Sequence, residues 1–382
     1  MSIRQVTLRP VTRDKPPLTG ENRKVKTLRL AVDPAHLDTA EARQAIARAA
    51  KILRDGGLVA FPTETVYGLG ANALDPAAVA RIFAAKQRPS WDPVIVHIAG
   101  PATHNPMLNN LVTEIPEPAR KLMAAFWPGP LTLLLPRSAA VPDCVTAGRP
   151  LVGIRMPAHP VAFELIRQAR IPVAAPSANL FGHISPTTAT HVLEDLDGRI
   201  DAILDAGPTL HGVESTVLDP SRSPMVIYRP GAITVVQIQN TAGPVELFQA
   251  GDRPQSEPEQ GLPSPGVGLR HYAPRARLIL VDGPLGKLPV LLAEAASRYS
   301  QERLGVMSPA ELAEPIPGLP AAVIFSWGRW DQPEELAHNL YAGLRALDAE
   351  GCTMILCPLP PAEGLGAAIR DRLCKAVHPA KK

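Results

Sequence analysis

Five short stretches of this chain concentrate hydroxyl groups, amides and cations at what read as the ends of strands or helices. The first, Phe61-Pro62-Thr63-Glu64-Thr65-Val66-Tyr67-Gly68-Leu69-Gly70, leaves an apolar run and enters a glycine-punctuated turn carrying Thr63 and Thr65. The second, Lys86-Gln87-Arg88-Pro89, puts two cations at a helix end. There they either neutralise the negative pole of the helix or grip a polyphosphate, Arg88 offering a planar fork that matches phosphate oxygens. Ala175-Pro176-Ser177-Ala178-Asn179, with Ser185, Thr187 and Thr188 close behind, supplies further hydroxyls. Gly212-Val213-Glu214-Ser215-Thr216 and Tyr228-Arg229-Pro230-Gly231 add another cluster and an isolated arginine. His97 lies inside Asp92-Pro93-Val94-Ile95-Val96-His97-Ile98, where a satisfied core histidine is the commoner outcome. Loops at strand ends on a rigid sheet are where ligand contacts concentrate, so these groups are candidates as a set more than singly.

Other chemistries are missing. Gly283-Pro284-Leu285-Gly286-Lys287-Leu288 has the wrong spacing for a phosphate loop and lacks its hydroxyl. No G-x-S-x-G elbow or zinc-ligand spacing occurs.

The elements that must position these groups follow from periodicity. Between Leu28 and about Val236, short β-branched runs alternate with helical patterns, the mark of an α/β fold. Ile46, Ala49, Ala50 and Leu53 fall on one face of a helix over Glu41 to Arg54, which Gly56-Gly57 ends. Asp75-Pro76 caps a helix running to Lys86. Strands are expected at 58–61, 132–135, 152–155, 173–175, 202–205, 216–218 and 225–228. Residues 241–275 carry six prolines and five glycines and read as an extended linker in which neither helix nor strand persists. Beyond it, strand and helix patterns alternate through 276–382, predicting a small Rossmann-like parallel-sheet domain.

A chain of 382 residues suits two domains. Its apolar runs are far shorter than the roughly 20 residues that span a bilayer, so no membrane association is expected. Residues 1–27 hold seven basic side chains against Asp14 and Glu21, an excess of +5; with +3 overall, the remainder carries −2. The body is therefore not a nucleic-acid binder by charge, and 1–27 reads as a basic disordered tail on a cytoplasmic protein. Cys144, Cys352, Cys357 and Cys374 form no C-x-x-C pair and read as buried thiols.

Pro62 to Gly70, Lys86 with Arg88, Ser177-Ala178-Asn179, Glu214-Ser215-Thr216 and Arg229-Pro230-Gly231, in that order, resemble the YrdC-like family. Ser264-Pro265-Gly266-Val267-Gly268-Leu269-Arg270-His271-Tyr272-Ala273-Pro274 is similar to the linker of its two-domain members. The resemblance implies a twisted mixed sheet around a positive cavity in 28–240. It implies L-threonylcarbamoyladenylate synthesis from L-threonine, bicarbonate or CO2 and ATP with Mg2+, feeding a downstream tRNA threonylcarbamoyl transferase. By the same resemblance, Thr65, His97, Ser177 and Ser215 are expected around threonine. Arg88, Asp92, Asn179, Thr187, Arg229 and the linker's Tyr272 are expected around ATP, with Lys86 and Arg88 carrying catalysis. Arg155 and Thr63 are further candidates, no metal being ligated directly by protein. Asp92 stands where the family often has asparagine. The rival reading is a module that binds tRNA or double-stranded RNA without catalysis.

Overall fold

The computed structural model describes residues 26–101, 104–248, 261–268, 271–299, 301–312, 316–319 and 321–377. In chain order these form β1 (Leu28–Ala31), α1 (Ala40–Arg54), β2 (Val59–Phe61), β3 (Gly68–Asn72), α2 (Pro76–Lys86), β4 (Val96–His97), α3 (Pro106–Leu111), α4 (Glu117–Phe126), β5 (Leu131–Pro136), α5 (Asp143–Thr146), β6 (Leu151–Arg155), α6 (Pro160–Ala169) and β7 (Val173–Ala174). There follow α7 (Ala189–Leu196), β8 (Ala202–Asp205), β9 (Thr216–Asp219), β10 (Met225–Arg229), α8 (Val235–Ala242) and β11 (Val245–Leu247). The C-terminal part comprises β12 (Arg277–Val281), α9 (Leu288–Ser297), β13 (Leu304–Pro309), β14 (Val323–Gly328), α10 (Pro333–Ala349), β15 (Met354–Pro358) and α11 (Leu365–Val377).

Among the described residues the first sheet has the order β1-β8-β2-β3-β7-β4-β6-β5-β9-β10-β11, with parallel and antiparallel neighbours mixed. Alternation along a strand sends neighbouring side chains to opposite faces. Val59 and Phe61 meet Ile46 and Leu53 of α1 and Leu165 of α6, while Ala60 joins Val79 and Ile82 of α2 and Val192 of α7. With helices on both faces, little of this sheet alternates in polarity. The second sheet, β12-β15-β13-β14, is parallel throughout.

Local chemistry explains the boundaries. Thr39 and Asp75 accept backbone N–H groups at the starts of α1 and α2, and Gln87 ends α2 in the left-handed region. Three features differ from the sequence reading. The glycine-rich stretch after Phe61 is a turn only as far as Tyr67, and Gly68–Asn72 pairs as β3 between β2 and β7. Gly70 is needed there, since a Cβ would lie 2.8 Å from Phe61 and Val173. Strand persists within 241–275, because Val245–Leu247 pairs with Met225–Ile227. β13, unsignalled by any clean alternation, occupies the centre of the second sheet.

The expected basic tail falls on residues 1–25, outside the described residues. Thr27, assigned to that tail, is buried and its hydroxyl donates to the Ile200 carbonyl. Cys352 and Cys357 are buried as expected, but Cys374 is exposed. The two parts share one apolar cluster, in which Val66, Ile184 and Val213 pack with Leu336, Leu340 and Tyr341 of α10.

Candidate functional site

Three neighbouring strands set one wall of an internal cavity. His97 of β4 is in register with Arg155 of β6, and Arg155 with Thr132 of β5. Register continues from Thr132 to Val217 on β9 and from Val217 to Arg229 on β10. Arg229 reaches this row through a bulge. Alternation from Ile227, which packs in the main core, would send Arg229 to the wrong face, and the register shift between them turns it back.

The cavity is lined by Thr63, Thr65, His97, Arg155, Ser177, Ser215 and Arg229 from the strand ends, Arg88 from the turn after α2, and Gly266, His271 and Tyr272 from the linker. The three loops and the helix end thus converge on a single hollow. Its free volume is about 60 Å3, room for about two waters. The linker occupies much of the remainder. Gly266 has φ +78°, and a Cβ there would come within 2.8 Å of Arg229 Cδ; only glycine meets both demands cheaply.

Each cation is held in place. Arg88 donates to the carbonyls of Asp92 (3.1 Å) and Pro93 (2.8 Å) and pairs with the Asp92 carboxylate at 2.9 Å. Arg229 donates to the Ser215 carbonyl and hydroxyl, both at 3.1 Å, and that hydroxyl also bonds Thr132. Arg155 donates to Thr65 at 3.0 Å and to Glu64 at 2.7 Å, leaving its buried Nε without a partner. Thr63 bonds the Thr65 hydroxyl at 2.8 Å and donates to the Val66 carbonyl.

Burial and charge shift the titrating groups. Burial, with Arg155 nearby, pushes His97 down to about 3, so its ring is neutral, and Nδ1 has no partner. Burial alone would raise Glu64, but the Arg155 guanidinium outweighs it and holds the carboxyl below its usual range. Burial raises Asp92, only partly offset by Arg88.

Four expected residues do not line the cavity. Lys86 is wholly buried and donates to the carbonyls of Ser177 and Asn179, both at 2.5 Å. Two of its N–H groups are thus bonded to backbone behind the wall, away from the hollow where the triphosphate was expected. Asp92 lies behind Arg88, the Asn179 amide donates to the Leu180 and His183 carbonyls, and Thr187 faces His191. Sequence reasoning also passed over Glu64 and Thr132, which orient Arg155 and Ser215. Glu64 lies within the first motif, directly between the cavity residues Thr63 and Thr65, and that adjacency was the available signal; no motif marks Thr132.

Comparison with known proteins gives the chain its family. The Sua5/YciO/YrdC family model, described as telomere recombination, matches residues 51–231, and a threonylcarbamoyl-AMP synthase C-terminal domain model matches 233–377. Threonylcarbamoyl-AMP synthase from Pyrococcus abyssi is 44% identical over 86% of this chain and 92% of its own. That from Bacillus subtilis is 46% identical over 87% and 92%, and that from Schizosaccharomyces pombe 37% over 98% and 97%. The crystal structure of P. abyssi Sua5 complexed with L-threonine superposes with a TM-score of 0.82 at 42% identity, covering 92% of this chain and 98% of that one. On this likeness across nearly its whole length, the chain belongs to the Sua5/YciO/YrdC family, in the form that carries a threonylcarbamoyl-AMP synthase C-terminal domain.

Proposed function

We propose that this protein makes threonylcarbamoyl-AMP and pyrophosphate from L-threonine, CO2 or bicarbonate and ATP, for a tRNA threonylcarbamoyl transferase to consume. The observation that carries the reading is the shared hollow, lined by Arg88 and Arg229 and also by Thr65, His97 and Arg155. The threonine amine adds to CO2 to give a carbamate and a proton. A carbamate oxygen then attacks the α-phosphorus, and the bond to the β-phosphate oxygen breaks to release pyrophosphate. Such a displacement needs alignment and charge neutralisation more than covalent help from protein.

Arg88 and Arg229 are assigned to the phosphates. Arg155, a further candidate in the sequence, is assigned to the amino-acid end. It is bonded to Thr65 and in register with His97, and its unpartnered Nε suits the threonine carboxylate. Neutral His97 can accept or donate one hydrogen bond without bringing a charge into the amino-acid pocket.

The carboxylates nearest the cavity, Glu64, Asp92 and Glu214, are each paired with an arginine. Among the described residues no three His, Cys, Asp or Glu side chains gather to hold a metal. Mg2+ is accordingly assigned to the ATP oxygens, where it would offset charge on the departing pyrophosphate. The cavity as it stands is too small for the nucleotide, so the linker residues that line it, Pro265, Gly266, His271 and Tyr272, are assigned to a lid that moves out for ATP and returns to exclude water.

Against duplex RNA binding stand the exposures of Arg88 and Arg155, 7% and 4%, and of Arg229, 6%. Guanidinium groups buried to this degree offer a duplex no exposed cationic surface. The test is mass spectrometry of products from ATP, bicarbonate and each amino acid in turn. A threonine-selective adenylate is expected, abolished by Arg88→Ala with the circular dichroism spectrum unchanged; RNA binding without threonine-dependent ATP turnover would reverse the reading.

A further inference from the structure

The C-terminal domain presses closely on the cavity wall at the 212–215 loop. A Cβ on Gly212 would lie 2.6 Å from both Cα and the carbonyl oxygen of His338, so α10 meets the 212–215 loop backbone to backbone. One turn further along α10, the Tyr341 hydroxyl donates to Glu214 at 3.0 Å, and Ser185 donates to the same carboxylate at 2.6 Å. From α11 comes Arg372, fully buried and not among the residues lining the cavity. Its Nε donates to Glu214 at 2.7 Å and one terminal NH2 group donates to the Pro230 carbonyl at 2.9 Å; the other pairs with Asp371 at 2.6 Å. Its guanidinium carbon lies 5.3 Å from the centre of the Tyr272 ring, which stacks in turn on Tyr341.

Glu214 precedes Ser215, and Pro230 follows Arg229. One rigid fork therefore ties together the two chain segments whose residues Arg229 and Ser215 bond each other at the cavity wall. It also bears on the linker tyrosine. The hydrogen bonds that hold Arg155 to Thr65 and Glu64, and its register with His97, are made within the first domain.

We propose that Arg372 is a positioning residue for the nucleotide: from the C-terminal domain it sets the spacing of the Glu214-Ser215 and Arg229-Pro230 segments and the seat of Tyr272, leaving the amino-acid pocket untouched. This rests on the proposed function. A lysine at 372 reaches one of these acceptors but cannot span both, since it lacks the planar fork. The loss of one charge-assisted hydrogen bond corresponds to about a tenfold change in affinity.

The experiment is calorimetric titration of the full chain with a non-hydrolysable ATP analogue and, separately, with L-threonine. For Arg372→Lys, the analogue Kd is expected to rise about tenfold while the threonine Kd stays within about twofold. The paired Glu214→Gln/Arg372→Gln variant removes both members of this ion pair and is expected to behave alike. Tyr341→Phe, which keeps the ion pair, guards against misfolding and should show the same selectivity at about threefold. Parallel loss of both ligands, or no loss of either, overturns the inference. A wild type that binds no ATP analogue overturns the proposed function and the inference together, whereas tight analogue binding by wild type and variants alike overturns the inference alone.

Discussion

Lowering the pH should cost this protein stability through His97, and the amount can be worked from its surroundings. The ring is buried in β4 beside Arg155, and both facts oppose protonation, so the folded state keeps it neutral down to about pH 3. In the unfolded chain the same ring takes a proton near its ordinary value of 6.5. The folded pKa is the lower, so the contribution is complete above about 6.5 and is lost as the pH falls from there towards about 3. Between pH 7 and pH 5 the loss is ~2 kcal/mol, from 1.36 kcal/mol per pKa unit. His97→Gln keeps a polar side chain of similar reach but cannot titrate. Urea unfolding of both proteins at pH 7 and pH 5 isolates the difference, because the other histidines and carboxylates are common to the two. At ~2 kcal/mol per molar, the wild-type midpoint should fall by about 1 M more than that of the variant. Equal falls would mean that the folded protein accepts the proton, and the neutral imidazole assigned to the amino-acid pocket would be wrong.

Three further outcomes follow from the same geometry. Lys86→Met orphans the carbonyls of Ser177 and Asn179 and should cost ~1–3 kcal/mol in urea unfolding; a raised KM for ATP at unchanged stability would restore Lys86 to the phosphates. Gly231→Ala would set a Cβ 2.5 Å from the Glu214 carbonyl oxygen and 2.6 Å from the Ser215 carbonyl carbon. These backbone atoms have no rotamer to change, so a loss of ~1–3 kcal/mol or more is expected along with product formation, and a fully stable, active variant would refute the close approach. Chelation by EDTA should stop synthesis and Mg2+ restore it without moving the thermal midpoint of the ligand-free protein; a midpoint that falls on chelation would point to a metal held by the chain itself.

Much of the molecule is legible along the chain because its signals are local. The Asp75-Pro76 start of α2 is a capping side chain followed by a residue with a pre-set φ, and it appears where the sequence placed it. The α1 stripe of Ile46, Ala49, Ala50 and Leu53 is buried as its spacing demands. β3 was concealed because Gly68 and Gly70 read as turn residues, although Gly70 answers to close neighbours across the sheet, which is a tertiary requirement. β11 was concealed by the glycines and prolines around it.

At the site the sequence by itself determined which residue types are present and that they cluster at strand ends, since hydroxyls, arginines and glycines are unmistakable in short motifs. Only the tertiary structure decided which of them face a common space. Lys86 and Arg88 stand two positions apart in one motif, yet the left-handed turn at Gln87 separates a buried tie to backbone from a cavity arginine. Arg229 is turned inward by a bulge that depends on pairing with β9, and Arg372, from a helix with no motif at all, arrives at Glu214 from 158 residues away in sequence. Direction and proximity are properties of register and packing between distant segments, and local spacing carries neither.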